Sequence, residues 1–232
     1  MTLAAVRSEL VERLRAIGPQ RYHDKHPFHQ KLVAGELTAD QVRSWVANRY
    51  YYQIAIPRKD AYILAALPSR EYRREWISRI TDHDGKGQGP GGTDKWLALG
   101  RAVGLTDEYL VSEQGVSPGT RFAVDAYVNF AHHRPWLESV ASSLTELFGP
   151  PVMAARVAAI IEKYPWVEPS GLAYFEDRFD LAKHDADLAL EWVVENARTA
   201  QEQDACVAAL RFKCDVLWCI FDATALESGV FG

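Results

Sequence analysis

The chain is short of several things, and each shortage excludes a class of protein. Among its 232 residues no stretch of alternating β-branched residues stands out, so a sheet is not expected. It has no internal repeat and no low-complexity tract, which excludes a solenoid and a disordered scaffold. Positive charge is also in deficit. A net charge of -5 and a pI near 5.8 argue against a nucleic-acid or anionic-membrane surface. No apolar run is expected to reach the ~18–20 residues of a membrane span. Met1–Leu14 mixes charged with apolar residues and has no signal-peptide core, so a cytoplasmic protein is expected. There are 3 cysteines, Cys206, Cys214 and Cys219, all on the last predicted helix. Their spacing puts the Cα atoms roughly 8–12 Å apart, too far for a disulfide, and they are expected to be small core residues.

Metal chemistry is poorly provided for. A di-iron bundle needs Glu-x-x-His pairs on two helices, and the sequence has none. His23, His26 and His29 recur at three-residue spacing, but Pro27 interrupts the run and their rings are not expected to converge. The segment GKGQGPGG (Gly85–Gly92) lacks the Lys-Ser/Thr ending of a phosphate loop and follows no strand, leaving a plain linker or a mobile lid.

What is present is helix, almost throughout. Leu3, Val6, Leu10, Leu14 and Ile17 mark the first, which ends at Gly18. Pro27 can open a short second one. Thr38 and Gln41 form a capping box for a third, with a break or kink expected at Pro57. Ser69 caps a segment with Trp76, Ile77 and Ile80 inward, and further helices start near Thr93, Thr106 and Pro118. Trp136–Phe148, Gly149–Tyr164, Ser170–Ala182 and Asp185–Asn196 follow, and Thr199 with Glu202 caps a last helix over Ala200–Leu226. The expected fold class is all-α, one helical domain over residues 1–232.

Polar residues lie on the apolar stripes of these helices. The stripe of Val42, Trp45 and Val46 continues through Arg49 and Gln53, and Lys213 falls among Cys206, Ala209, Leu210, Val216, Leu217 and Ile220. His83 shares a face with Trp76 and Ile80, Arg156 lies with Val152, Ala159 and Ile160, and Tyr127 extends the face of Ala123 and Phe130. Tyr174 and Arg178 are one turn apart beside Leu172, Phe175 and Phe179. Singly, each is a snorkelling cation or a satisfied core residue. Jointly, cations converging from several helices with few acids to neutralise them suit a buried ligand with several carboxylates. His83, Tyr127 and Tyr174 can then move protons on it.

The residues also resemble a known family. RYHDKHPFH (Arg21–His29), WVANRYYYQ (Trp45–Gln53), ITDHDG (Ile80–Gly85), RFAVDAYVNF (Arg121–Phe130), SSLTELF (Ser142–Phe148) and FKCDVLW (Phe212–Trp218) are similar to the signature segments of pyrroloquinoline-quinone synthases. The resemblance runs to about Ala225. It implies a compact heme-oxygenase-like bundle of about seven main helices, a fold shared with thiaminase-type proteins, and a homodimer. It implies ring closure and multi-electron oxidation of a bicyclic polycarboxylate precursor by O2, releasing hydrogen peroxide, without a metal or organic cofactor. Carried over residue by residue, it places His83, Tyr174, Arg178 and His23 as catalytic. Tyr22, Arg49, Gln53, Tyr127, Thr145, Glu146, Arg156 and Lys213 are placed as substrate-binding.

At one position the chain departs from the pattern: Met153 stands where many members place a histidine, which puts in doubt any mechanism needing that imidazole. The chain also ends sooner after Ala225 than the family usually does, and some members continue into a carrier-like domain. Two other readings stay open. A thiaminase-type hydrolase would need a reactive cysteine in the pocket. A quinone carrier would bind the same ligand without turning it over.

Overall fold

The computed structural model describes the backbone of residues 3–231, and side chains within it except those of residues 3–5 and 177–182. The described residues form helices and connections only. In chain order they are α1 (Leu3–Arg15), α2 (Ile17–Arg21), α3 (Pro27–Ala34), α4 (Ala39–Ala66), α5 (Arg70–Asp84), α6 (Gly92–Ala102) and α7 (Asp107–Val111). There follow α8 (Pro118–His133), α9 (Trp136–Ala141), α10 (Gly149–Lys163), α11 (Ala173–Asn196) and α12 (Ala200–Glu227). Short 3₁₀ turns occupy His23–Lys25, Ser142–Phe148 and Pro169–Leu172.

The capping chemistry sets the long helices. Thr38 Oγ1 accepts the Gln41 N–H at 3.3 Å while Gln41 Oε1 accepts the Thr38 N–H at 2.9 Å. Thr199 and Glu202 make the same reciprocal pair at 3.2 and 2.9 Å. The rods so started, α4 and α12, each run 28 residues. α4 packs against α5, α6, α8 and α12, and α12 also packs against α9 and the Ser142–Phe148 turn. Two apolar clusters fill the bundle. One gathers Leu14, Trp76, Val140, Trp192 and Leu210; the other gathers Phe28, Trp45, Trp96, Leu99 and Phe175.

Several sequence expectations need correcting. The first helix stops at Arg15 and restarts at Ile17, one turn earlier than Gly18 suggests. α4 passes through Pro57 unbroken, because the only backbone bond lost is the one to the Gln53 carbonyl, four residues back. The two helices expected over 170–196 are one, α11, since neither Gly nor Pro separates Ala182 from Asp185. The expected Trp136–Phe148 helix tightens to 3₁₀ after Ala141. On α5 the inward face is Trp76, Arg79 and His83, and Ile77 is 49% exposed. The expectation that no apolar run is long enough for a membrane also fails: Trp136–Lys163 qualifies by length and composition. Here that stretch is split into α9, a 3₁₀ turn and α10, and its central serines are buried inside the protein.

The glycine-rich connection is built tightly at one end. Gly85 and Gly87 adopt φ of 91° and 64°, open to glycine at no cost. A Cβ at Gly91 would run into the His83 carbonyl and the Gly85 nitrogen, whereas one at Gly89 would come no nearer than 3.4 Å to anything. Gly91→Ala should therefore lower the free energy of unfolding in urea by about 1–3 kcal/mol through overpacking. Gly89→Ala should stay within about 0.5 kcal/mol of the parent chain. Equal effects would show that the loop does not pack on the end of α5.

Candidate active site

Inside the bundle is a cavity of about 90 Å³, with walls from Tyr22 just after α2, from α4, α5, α8, α10, α11 and α12, and from the Ser142–Phe148 3₁₀ turn. Eight of the residues expected from the sequence line it: Tyr22, Arg49, His83, Tyr127, Thr145, Glu146, Tyr174 and Lys213. Met153, the position of departure, lines it too. The tightened backbone of Ser142–Phe148 explains one wall. With three residues per 3₁₀ turn, Ser143 and Glu146 stand one above the other and both face the cavity.

One side of the cavity carries a buried ion-pair network. Lys59 Nζ lies 2.6 Å from Asp60 Oδ1 and donates to Ser143 Oγ at 3.3 Å. Trp76 Nε1 donates to the same Asp60 oxygen at 3.1 Å. Arg79 spreads its guanidinium over three acids: Glu146 at 2.7 Å, Asp185 at 3.3 Å and Asp60 at 3.6 Å. Burial pushes the Asp60 carboxyl up, but Lys59 and Arg79 outweigh it and hold the group below its ordinary value. Charge on this side is therefore paired within the protein, and removing one member would strand the others, at a cost of about 3–5 kcal/mol.

The other side is different. Arg49, Arg156 and Lys213 have no carboxylate partner among the described residues. Arg49 lies 4.0 Å over the Tyr52 ring. Lys213 is 1% exposed, donates to Tyr52 Oη at 2.6 Å and sits 3.5 Å above the Tyr127 ring. Arg156 stands over Trp45 at 5.3 Å, and its Nε has no partner among the described residues. Burial and the nearby Arg49 push Arg156 down to about 10.

Three expected residues form a layer behind the wall. Gln53 Oε1 accepts the Tyr174 hydroxyl at 3.0 Å, and its buried Nε2 has no partner among the described residues. Arg156 Nη2 meets His23 Nε2 at 3.3 Å, which makes His23 the acceptor and fixes its proton on Nδ1. His29 packs beside His23, with ring centroids 6.0 Å apart. Burial, Arg156 and Arg49 hold His23 well below the ordinary histidine range, and burial with Arg156 brings His29 down to about 3. His83 is buried on the opposite wall, where its Nδ1 pairs with the Arg79 carbonyl at 3.1 Å. Gly92, at the start of α6, lies against both Tyr174 and His83, and a Cβ there would stand 3.4 and 3.6 Å from their rings, at ordinary contact distance. The expected residue Arg178 falls in 177–182, outside the described side chains.

Sequence reasoning did not place Tyr52, Ile56, Lys59, Arg79, Ser143, Gly149 or Leu217 in the site. The signal was available for several. Tyr52, Ile56 and Lys59 continue the Arg49 stripe at +3, +7 and +10, and Arg79 follows Trp76 by one turn. Lys59 and Arg79 were obscured because their acids come from Asp60 and from distant Glu146 and Asp185. None of the three cysteines lines the cavity. No group of three potential metal ligands occurs among the described residues.

The all-α bundle that closes around this cavity has the heme oxygenase-like fold. A solved domain of that fold from Shewanella denitrificans superposes over 100% of this chain and 95% of its own, with a TM-score of 0.76 at 15% identity. At that identity the likeness is one of fold. The chain belongs to the TENA/THI-4/PQQC family, whose model matches residues 11–223. It is 52% identical over 93% of its length to the pyrroloquinoline-quinone synthase of Granulibacter bethesdensis, covering 84% of that protein. It is 51% identical to the enzyme of the same name from Rhizobium rhizogenes, covering 96% of this chain and 90% of that one.

The neutral histidines give the site a pH signature. His29 titrates near 6.5 when unfolded and at about 3 when folded, so between those values the unfolded chain binds more protons. Stability is then fully present above about pH 6.5 and lost as pH falls, at up to ~1.4 kcal/mol per pH unit for each such histidine. Urea unfolding between pH 7 and 5 should show this slope, and His29→Phe should reduce it. An unchanged slope in His29→Phe would place the acid sensitivity elsewhere.

Proposed function

We propose that the chain acts as a pyrroloquinoline-quinone synthase, closing and oxidising a bicyclic polycarboxylate precursor with O2 as acceptor and hydrogen peroxide as by-product. The observation that carries this reading is the division of charge in the cavity. Lys59 and Arg79 are satisfied by Asp60, Glu146 and Asp185, whereas Arg49 and Lys213 on the wall and Arg156 just behind it have no acid among the described residues. Arg156 and Lys213 are buried and Arg49 is half-buried; basic groups so placed without a counter-charge are costly, and a ligand with several carboxylates is the natural remedy. Arg49 and Arg156 then grip carboxylates in a planar fork, and Lys213 supplies a point charge. The 52% identity to a curated synthase supports the same substrate class.

The reacting centre falls between the two polar walls. His83, held by the Arg79 carbonyl, is placed to take a proton from the precursor and return one to reduced oxygen. Tyr174, oriented by Gln53, presents its hydroxyl to the same space. Tyr22, Tyr52 and Tyr127 all keep their protons, because burial pushes each well above the ordinary tyrosine value. They serve as neutral donors. Met153 lends no imidazole, so proton transfer rests on His83, Tyr174 and, one layer back, His23. Ligand pockets usually enclose about 300–1,000 Å³, so a cavity of about 90 Å³ must widen to admit this substrate. The Gly85–Gly92 connection, which begins just beyond His83 and Asp84 at the end of α5, is the segment we assign to that movement. The working form is taken to be a cytoplasmic homodimer, and no step of the reading draws on a metal.

A thiaminase-type reading is weaker. Burial pushes the Cys206 and Cys214 thiols up to about 12, and neither lines the cavity. Oxygen uptake on mixing with the precursor tests the proposal against a mere carrier. The wild type should consume O2 and develop the quinone absorbance; binding without uptake would make it a carrier. Arg156→Ala should weaken quinone binding by about 1.5–3 kcal/mol, some 10- to 150-fold. His83→Asn should bind nearly as the wild type but stall at an intermediate visible by absorbance. Wild-type turnover in His83→Asn would leave that residue a structural role.

A further inference from the structure

We propose that Lys213 is a neutral amine in the ligand-free protein and takes up one proton from solvent when a carboxylate ligand docks, so that ligand binding and protonation are a single event. The proposal rests on the reading of the cavity as a polycarboxylate site.

The argument begins with what surrounds the Nζ atom. Lys213 comes off the middle of α12 and is 1% exposed, so water cannot solvate a charge there. From α4 it meets Tyr52, its hydrogen-bond partner at 2.6 Å, and the cations Arg49 and Lys59 bear on it. Arg49 lies 4.0 Å from the centroid of the Tyr52 ring, and Lys213 Nζ stands 4.1 Å from the same centroid. From α8 it meets the Tyr127 ring at 3.5 Å. His23, just before α3, and the neighbouring thiol of Cys214 complete the titratable set, along with Glu146 from the 3₁₀ turn. Glu146 is the one acid in that set, and it is bound to Arg79 at 2.7 Å. Tyr52 and Tyr127 cannot serve as counter-ions, because burial keeps both protonated.

Burial, then Arg49 and Lys59, accordingly push the Lys213 amine well below its ordinary value. The ring faces favour the ammonium, but against two neighbouring cations and near-complete burial they do not restore it. A docked carboxylate reverses the balance. It neutralises Arg49, supplies a direct acceptor, and turns the amine into an ammonium by the step R-NH₂ + H⁺ → R-NH₃⁺, the proton coming from water or buffer. Between the amine's titration in the free and the occupied site, binding consumes a proton. Above the free-site value the dissociation constant then rises about tenfold per pH unit. A neutral ligand gains none of this, so the amine selects for anions without repelling them by prior pairing.

Isothermal titration with pyrroloquinoline quinone at about pH 8, in two buffers of different protonation enthalpy, counts the protons directly. The ligand's carboxylates are fully ionised at that pH and contribute none. Wild type should take up close to one proton per quinone. Lys213→Arg keeps the charge in a group that does not titrate, so it should bind with uptake abolished. Lys213→Met, which preserves the shape of the side chain, should bind more weakly and also without uptake; it decides the matter should the arginine variant fail to fold. Wild-type binding without proton uptake would overturn the inference while leaving the polycarboxylate reading intact. So would undiminished uptake in either variant, which would place the proton on another group. No binding of the quinone at all would remove the site reading and this inference together.

Discussion

A cluster of basic groups without a resident counter-ion is the constraint on which this molecule turns. Hydrophobic burial would close the bundle more tightly if Arg49, Arg156 and Lys213 were apolar. Instead each occupies a position that a leucine would fill, and each is placed against aromatic rings that soften the loss of water. The carboxylates that might have quenched them are spoken for, because Arg79 draws Glu146, Asp185 and Asp60 to the far wall. The fold thereby holds an electrostatic imbalance that a bound anion relieves.

The architecture serves that imbalance by rigidity. α4 and α12 are long, capped rods, and the side chains facing the cavity from them are fixed by packing on both sides. Finer adjustment falls to irregular backbone. The 3₁₀ turn aims Ser143 and Glu146 together, and Pro57 releases the carbonyl of Gln53 from the helix ladder. These departures from regular helix cluster at the cavity, where a uniform bundle could not bring so many polar groups to one point.

Much of this was legible in the sequence, for identifiable reasons. Periodicity and capping residues located the helices, because a Thr-x-x-Gln or Thr-x-x-Glu box satisfies the first backbone donors whatever lies around it. The same periodicity exposed Arg49, Gln53, His83, Tyr127, Arg156 and Lys213, since a polar residue on an apolar stripe is anomalous in a single helix. Tyr22, Thr145 and Glu146 came only from the family resemblance; they sit on short or 3₁₀ segments where a 3.6-residue period says little. What escaped was anything requiring two distant segments at once. Lys59 reads as a surface lysine until Asp60 and Ser143 enclose it, and Arg79 reads as exposed until three acids from three segments converge on it. The tightening after Ala141 was hidden for the same reason, as no local residue forbids an α-helix there.

The uninterrupted course of α4 carries one last implication, for how this protein can vary. A single rod supplies Arg49, Tyr52, Ile56 and Lys59 to the cavity and Asp60 to the network behind it. Gain or loss of one residue between Arg49 and Lys59 would turn everything downstream by about 100° and shift it by about 1.5 Å. Lys59 would leave the cavity wall, Asp60 would leave Arg79, and the start of α5 would be displaced. Substitutions can accumulate along this segment one at a time, but its length cannot change without dismantling both halves of the site. The spacing between those side chains behaves as a ruler, and the helix as the material it is cut from.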